Sequence, residues 1–397
     1  MNHENQEFIP YSKQLVSDDD VKRVEKVLRS DFLTQGPEVE AFESDIIEYT
    51  NVKYATAVNS ATSALHLACL ALDVKENDIV WTSPITFVAS ANCALYCNAE
   101  IDFVDVNVNT GRISIEKLKF KLEEAKKNKK LPKLLIVVHL AGTSCDMESI
   151  KALSNIYGFF IIEDSSHAIG GEYKGSKVGS CKYSDISVFS FHPVKIITSG
   201  EGGMITTNNK NIANLVKKLR THGIERNKEN FIKNINSPWQ YQQQNLGFNY
   251  RMNDIEAALG RSQLRRISEF VAERNKKYNL YMDVLRNLPV TLNPIPKDVY
   301  SSLHLAIIYI NNKCSKKQYK ILFETMRKQN IGVQLHYYPV YLHPFYQNLG
   351  FKKLKLTNSE EYAHSNISIP LYPSLSSHEI NKVSEALKKS LDIAGLL

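Results

Sequence analysis

Two periods alternate along the first two-thirds of the chain. YATAVNS, DIVWTS, EIDFVDV, LLIVVHLAG, FFIIEDS, DISVFSF and GMITT are short, nearly all-apolar runs rich in β-branched and aromatic residues, and each reads as a strand. Between several of them the apolar positions recur at helical spacing: SALHLACLAL, FVASANCALYC and MESIKALSNIY, the last preceded by Asp146 as a cap. A strand that is apolar on both faces is buried on both. Seven of them, interleaved with helices, predict a mostly parallel sheet covered on each side.

Near Asp254 the pattern changes. NDIEAALGRSQLRRISEFVAERNKKYNLYMDVL predicts a long helical stretch with Asn253 or Asp254 as its cap and a break inside it. A strand (LHLAIIYI), a helix (KKQYKILFETMRKQN), a strand (GVQLHYYP), a short strand (ISIPL) and a last helix (SSHEINKVSEALKKSL) follow. The expected fold class is therefore α/β: a large domain over 1–255 with an N-terminal segment, then a linking helix and a smaller C-terminal α+β domain over 256–397. RNKENFIKNINSPWQYQQQN is polar and aromatic without a period, and is expected to be a long loop of the kind that often carries function.

Composition narrows the function. The formal charge of +7 is mild for 397 residues and its bearers are dispersed. The densest run, EEAKKNKKLPK, carries acids beside its lysines and reads as a solvated helix end, so nucleic acid is not expected as a partner. Cys69, Cys93, Cys97, Cys145, Cys181 and Cys314 form no CxxC pair, and most sit in apolar contexts as small buried hydrophobes. No metal site is expected. MNHENQEFIPY has no basic or apolar leader region, and no apolar run approaches the ~20 residues that span a bilayer. The expectation is a reduced, cytoplasmic protein with no membrane partner.

The candidate chemistry gathers at strand ends. Lys195 stands where SVFSF stops, beside a glycine-rich turn; Glu163 and Asp164 end FFIIED; Ser60, Ala61, Thr62 and Ser63 lead a strand into a helix. The carboxyl ends of parallel strands are where open α/β sheets hold ligands. A lysine that forms a Schiff base needs a carbonyl partner held at fixed distance, and pyridoxal phosphate is the best known. Its ring nitrogen draws electrons when protonated, which a neighbouring carboxylate favours. Asp164 would supply that acid, Phe87 in SPITFVAS a stacking face, and the Ser60–Ser63 turn a phosphate cup at a helix start. Taken singly, Asp164 could be a helix cap, Phe87 plain core and the hydroxyl cluster an N-cap. In this order on one sheet they favour a pyridoxal phosphate enzyme over a Rossmann oxidoreductase, because no GxGxxG follows the first strand.

The stretches SDFLTQGPEVEAFE, EDSSHAIGG, YSDISVFSFHPVKIITSGEGGM, RTHGI and NLGFNYRMNDIEAALG together resemble the DegT/DnrJ/EryC1/StrS family of sugar-nucleotide aminotransferases, over almost the whole chain from Ile9. The resemblance implies fold type I of the pyridoxal-phosphate-dependent transferases and a homodimer. IPYSKQ, VLRSDFLTQGP and PWQYQQQNLGFNYRMND look most like the branch on the route to pseudaminic acid. That branch moves an amino group from L-glutamate to C4 of a UDP-linked 4-keto-6-deoxy amino sugar. By the same resemblance Lys195 is the Schiff-base lysine, Asp164 the partner of the ring nitrogen and Phe87 the stacking aromatic. His167 falls near the cofactor's 3′-oxygen. Ser190 and the turn Ser60, Ala61, Thr62, Ser63 match phosphate contacts, and Asn249 matches a residue that reaches the phosphate from the partner subunit, with Arg251 nearby. Tyr11, the stretch Asp31, Phe32, Leu33, Thr34, and the run Gln334, Leu335, His336, Tyr337 fall where the branch meets its nucleotide sugar. Ala61 stands where the family often has glycine, and Thr143 where it usually has glutamine. Another 4- or 3-aminotransferase of the family remains an alternative. A second is a member that uses the cofactor for dehydration, but that branch carries histidine in place of the lysine, and Lys195 argues against it. A non-catalytic regulatory or binding role is the third; the intact Lys195, Asp164 and phosphate turn argue against that.

Overall fold

The computed structural model describes residues 7–233, 237–312 and 314–397. The first six residues of the stretch read for a leader, and 234–236 within the expected loop, lie outside them. All seven expected strands are present in one sheet: β1 (Tyr54–Val58), β2 (Ile79–Thr82), β3 (Glu100–Phe103), β4 (Leu134–Val138), β5 (Phe160–Asp164), β6 (Ile186–Ser190) and β7 (Gly203–Thr207). Their order is β1-β7-β6-β5-β4-β2-β3. Neighbours from β3 through β6 are parallel, and β7 runs antiparallel to both β6 and β1.

The all-apolar run of β4 follows from its two cores. Leu134 and Ile136 belong to the cluster under helices Ala61–Ala71 and Ala89–Tyr96. Leu135 and Val137 belong to the opposite cluster, with Leu118, Leu122 and Ile150. Alternate residues of a strand face opposite ways, so both sets must be apolar. Asp146 caps helix Met147–Tyr157 as expected, accepting the Ser149 N–H.

In the second part, Asn253 caps helix Asp254–Leu264 in a reciprocal box with Glu256. The expected break falls at Arg265 and Arg266, before helix Ile267–Val284. An antiparallel sheet of β8 (Val290–Leu292), β9 (Ala306–Ile310) and β10 (Asn366–Ile369) packs against helices Lys316–Lys328 and Ser377–Ile393 through Leu322, Met326, Val383 and Leu387. The expected strand GVQLHYYP is not one: it makes a lone bridge, Gln334 to Ser368. Its burial does not alternate as a strand's would. Val333 enters the small core, while His336 and Tyr337 turn into a cavity beside the large sheet.

We propose that the two groups of elements form two domains, 1–255 and 256–397, although helix Asp254–Leu264 packs into the core of the first through Ala257 and Leu264. Many contacts cross that boundary, among them two backbone pairings. Val299 and Tyr300 pair with Glu172 and Tyr173. Near the other end, Ile9 is buried in the small core, bridges Ile331, and accepts the Gly332 N–H at 2.7 Å. No helix among the described residues is long and apolar enough to cross a membrane.

Candidate active site

The ends of β5 and β6 set the site. Glu163 and Asp164 are consecutive and face opposite ways. Glu163 lies behind the sheet, 2.8 Å from His139 Nε2; the Cys145 N–H donates to His139 Nδ1, so Nε2 is the nitrogen that carries the proton. Asp164 faces a cavity of about 430 Å³. Its Oδ2 accepts from Ser90 Oγ at 2.6 Å and its Oδ1 from the Ser166 N–H at 3.1 Å.

Lys195 reaches the same cavity from the loop that joins β6 to β7. The loop is pinned at both ends: the Phe191 N–H donates to Gly202 O and the Lys195 N–H to His192 O, each at 2.9 Å. A Cβ on Gly203 would lie 2.6 Å from the Ser60 carbonyl, so glycine there lets β7 pass directly beneath the Ser60 turn. Burial draws the Lys195 amine down to about 8, against the upward pull of the Asp164 charge.

At the turn itself, Ser60 Oγ accepts the Ser63 N–H and caps helix Ala61–Ala71. Ser60, Ala61 and Thr62 line the cavity with Ser190. A helix start offers N–H groups without intrahelical partners, suited to an anion. Ser63 points elsewhere: its hydroxyl donates to Asn59 Oδ1 at 2.7 Å. Ala61 in place of glycine leaves the turn open to the cavity.

Phe87 is 59% exposed, with its ring 6.4 Å from that of Tyr337. His167 Nε2 meets the Tyr337 hydroxyl at 3.1 Å, and its buried Nδ1 has no protein partner. Burial, with the Lys195 charge adding to it, holds His167 well below the usual histidine value and takes His336 to about 3, so both rings are neutral at pH 7. Tyr11 completes this wall, its ring 5.4 Å from His336.

Other expected residues stand apart from the cavity. Asp31, Phe32, Leu33 and Thr34 are exposed; Leu33 O accepts the Asp254 N–H at 3.0 Å. Gln334 and Leu335 lie in the segment leading to His336, partly buried. Asn249 is exposed, its backbone bridging Thr221, and Arg251 is partly buried; neither lines the cavity. Thr143 hydrogen-bonds Ser301 in the interior and offers nothing to a ligand. Five of the six cysteines are buried, as expected, and Cys314 is partly so. Several contributors are not marked by the sequence, Ser166 and Glu201 among them. Ser90 was legible only as a hydroxyl four residues after Thr86 in an apolar run; His304 was a lone histidine within LHLAIIYI, and its ring lies 4.4 Å from that of His167.

Comparison with known proteins agrees with this geometry. Residues 14–388 match the model of the DegT/DnrJ/EryC1/StrS aminotransferase family. Over 388 residues the chain is 37% identical to the UDP-4-amino-4,6-dideoxy-N-acetyl-beta-L-altrosamine transaminase of Campylobacter jejuni, covering 97% of this chain and 98% of that one. Its fold is similar to that of Helicobacter pylori PseC, an aminotransferase involved in the biosynthesis of pseudoaminic acid. The TM-score is 0.87 at 31% identity, over 98% of this chain and 100% of that one. Spr1654 of Streptococcus pneumoniae in its PLP form also has a TM-score of 0.87, at 25% identity over 98% of this chain and 99% of that one.

Proposed function

The chain belongs to the DegT/DnrJ/EryC1/StrS aminotransferase family and is a pyridoxal-phosphate-dependent aminotransferase; from that premise we propose that it moves an amino group from L-glutamate to C4 of UDP-2-acetamido-2,6-dideoxy-β-L-arabino-hexos-4-ulose. The product would be UDP-4-amino-4,6-dideoxy-N-acetyl-β-L-altrosamine, on the route to pseudaminic acid. The observation that carries transamination is the opening of the Lys195 amine into the cavity that Asp164 also lines. The names of the Campylobacter and Helicobacter relatives support the choice of sugar.

The residues present fit the cofactor. The cavity joins an amine, a carboxylate tied at both oxygens, an exposed phenyl face, a helix start and a buried imidazole nitrogen without a protein partner. Pyridoxal phosphate, when bound, supplies an aldehyde for amines and a ring that draws electrons from the carbon beside the nitrogen. The chain supplies the rest. Ser60, Ala61, Thr62 and Ser190 would hold the phosphate, Phe87 the ring face, His167 the 3′-oxygen and Asp164 the ring nitrogen's proton. Lys195, drawn toward neutrality, takes a proton from one carbon and returns it at another. The neutral wall of Tyr11, His336 and Tyr337 would orient the sugar.

A homodimer is part of this reading. Among the described residues, Lys195 is the sole lysine or arginine that lines the cavity, whereas the sugar carries a diphosphate and glutamate two carboxylates. Asn249 and Arg251 have no place in their own chain's cavity and suit a partner's, and Asp31–Thr34, Gln334 and Leu335, which do not line the cavity either, would meet the nucleotide part of the sugar. A cytoplasmic location completes the reading. The test is direct: incubate the protein with candidate UDP-4-keto sugars and L-glutamate, and identify the amino sugar by NMR. A product aminated at C3, or none, would overturn the assignment.

A further inference from the structure

Behind Asp164 two hydroxyls stand in series. Ser90 Oγ lies 2.6 Å from Asp164 Oδ2, and Thr86 Oγ1 lies 2.8 Å from Ser90 Oγ. A carboxylate accepts and does not donate, so Ser90 gives it its one proton and must accept from Thr86. The direction is thereby fixed, from Thr86 through Ser90 to Asp164. Ser90 is wholly buried and Thr86 nearly so, where it lines the cavity beside Asp164. Phe87 belongs to the same turn, its carbonyl accepting the Ser90 N–H at 3.2 Å. One turn therefore carries both the stacking face and the support of the acid.

We propose that Ser90 is a positioning residue for transamination: its hydroxyl fixes the rotation of the Asp164 carboxylate, and Thr86 fixes Ser90. This rests on the reading of Asp164 as the partner of the ring nitrogen. With Oδ2 released, the carboxylate turns about its own axis on the single Ser166 bond, and the ring proton loses its steady acceptor. Hydrogen bonds to a charged group in a dry site are the strong ones, and their loss is felt in the geometry they hold.

The experiment uses holoenzyme carrying pyridoxal phosphate labelled with ¹⁵N in the ring. In Ser90→Ala the ring-nitrogen resonance should move toward that of neutral pyridine. Turnover should fall about tenfold, the weight of one hydrogen bond to a charged group, while KM for the sugar stays within about twofold. Ser90→Thr keeps the hydroxyl and should restore both. Thr86→Val, one bond further back, should act in the same direction but less. A Ser90→Ala resonance at the wild-type position would overturn the proposal whether or not turnover falls, since that would leave Ser90 a packing residue. A stronger effect from Thr86→Val than from Ser90→Ala would overturn the order of the series. A neutral ring nitrogen in the wild-type protein would instead overturn the reading of Asp164.

Discussion

Lys195 is a cation held where water is scarce, and its amine sits near 8 for that reason. A folded value below the usual 10.5 means that the unfolded chain binds the extra proton between about 8 and 10.5. The partly buried ammonium, facing the cavity, therefore destabilises the apoprotein below pH 8, and stability recovers as pH rises through that window, by at most ~1.4 kcal/mol for each pH unit crossed. Lys195→Met should raise the apoprotein Tm at pH 7, with the gain shrinking by pH 10; a gain equal at both would trace to packing alone. The same amine makes a second prediction. Borohydride should abolish the near-visible absorption of the holoenzyme, and peptide mapping should find the reduced adduct on Lys195, not on Lys182. Asp164→Asn should still bind the cofactor through the untouched helix start, yet lose most turnover, because an amide cannot hold the ring proton as a carboxylate does. Near-normal turnover would reduce Asp164 to a turn residue serving Ser166.

At the scale of the element, the Ser60 turn does two tasks: Ser60 caps helix Ala61–Ala71 and borders the cavity. Ser60→Ala should lower stability by about 1 kcal/mol as a lost cap. It should also weaken cofactor binding severalfold, read by titrating the apoprotein and following fluorescence; unchanged affinity would confine Ser60 to capping. The elements themselves were legible in the sequence because the inner strands of the large sheet serve two cores and are largely apolar, a signal that needs only their own four or five residues; the edge strand β3, EIDF, alternates instead. The segment from Gly332 to Tyr337 was misread for the same reason in reverse. Apolar and polar residues alternate in its sequence, but Val333 enters the small core while the consecutive His336 and Tyr337 line the cavity, and no local pattern distinguishes a cavity from a core. Ser90 was illegible because its meaning lies 74 residues away, at Asp164. Asp164 and Lys195 were legible because each ends or follows a buried strand, where a charged side chain is conspicuous.

For the whole molecule, the reading makes each site a composite of two chains, and this can be tested by complementation. Lys195→Ala and Asn249→Asp should each be nearly inactive. In the second, a carboxylate would face the cofactor phosphate, a repulsion of about 1 kcal/mol or more even with water-like screening. Subunit exchange between the two mutants gives mixed dimers with one sound site, so activity should return toward a ceiling of about a quarter of wild type, half the dimers having half their sites. No recovery despite measured exchange would assign Asn249 to its own chain or to no site. The domain arrangement was only partly legible. Helix periods mark where the second half begins, but nothing local announces that Ile9 belongs to the core built by residues from Tyr278 onward.

That pairing of Ile9 with Ile331 sets a timetable for synthesis. Ile9 and Tyr11 leave the ribosome more than 300 residues before their partners: Gly332 donates to Ile9, and Leu371 to Tyr11. At 5–20 residues per second the N-terminal segment waits roughly 15–70 s for them. Until then the large sheet can close around Asp164 and Lys195, but the cavity wall proposed to orient the sugar is missing both Tyr11's anchor and His336. A nascent chain stalled near residue 300 should therefore expose residues 7–12 to protease while the sheet resists, and the same cut should be suppressed once Leu371 has emerged.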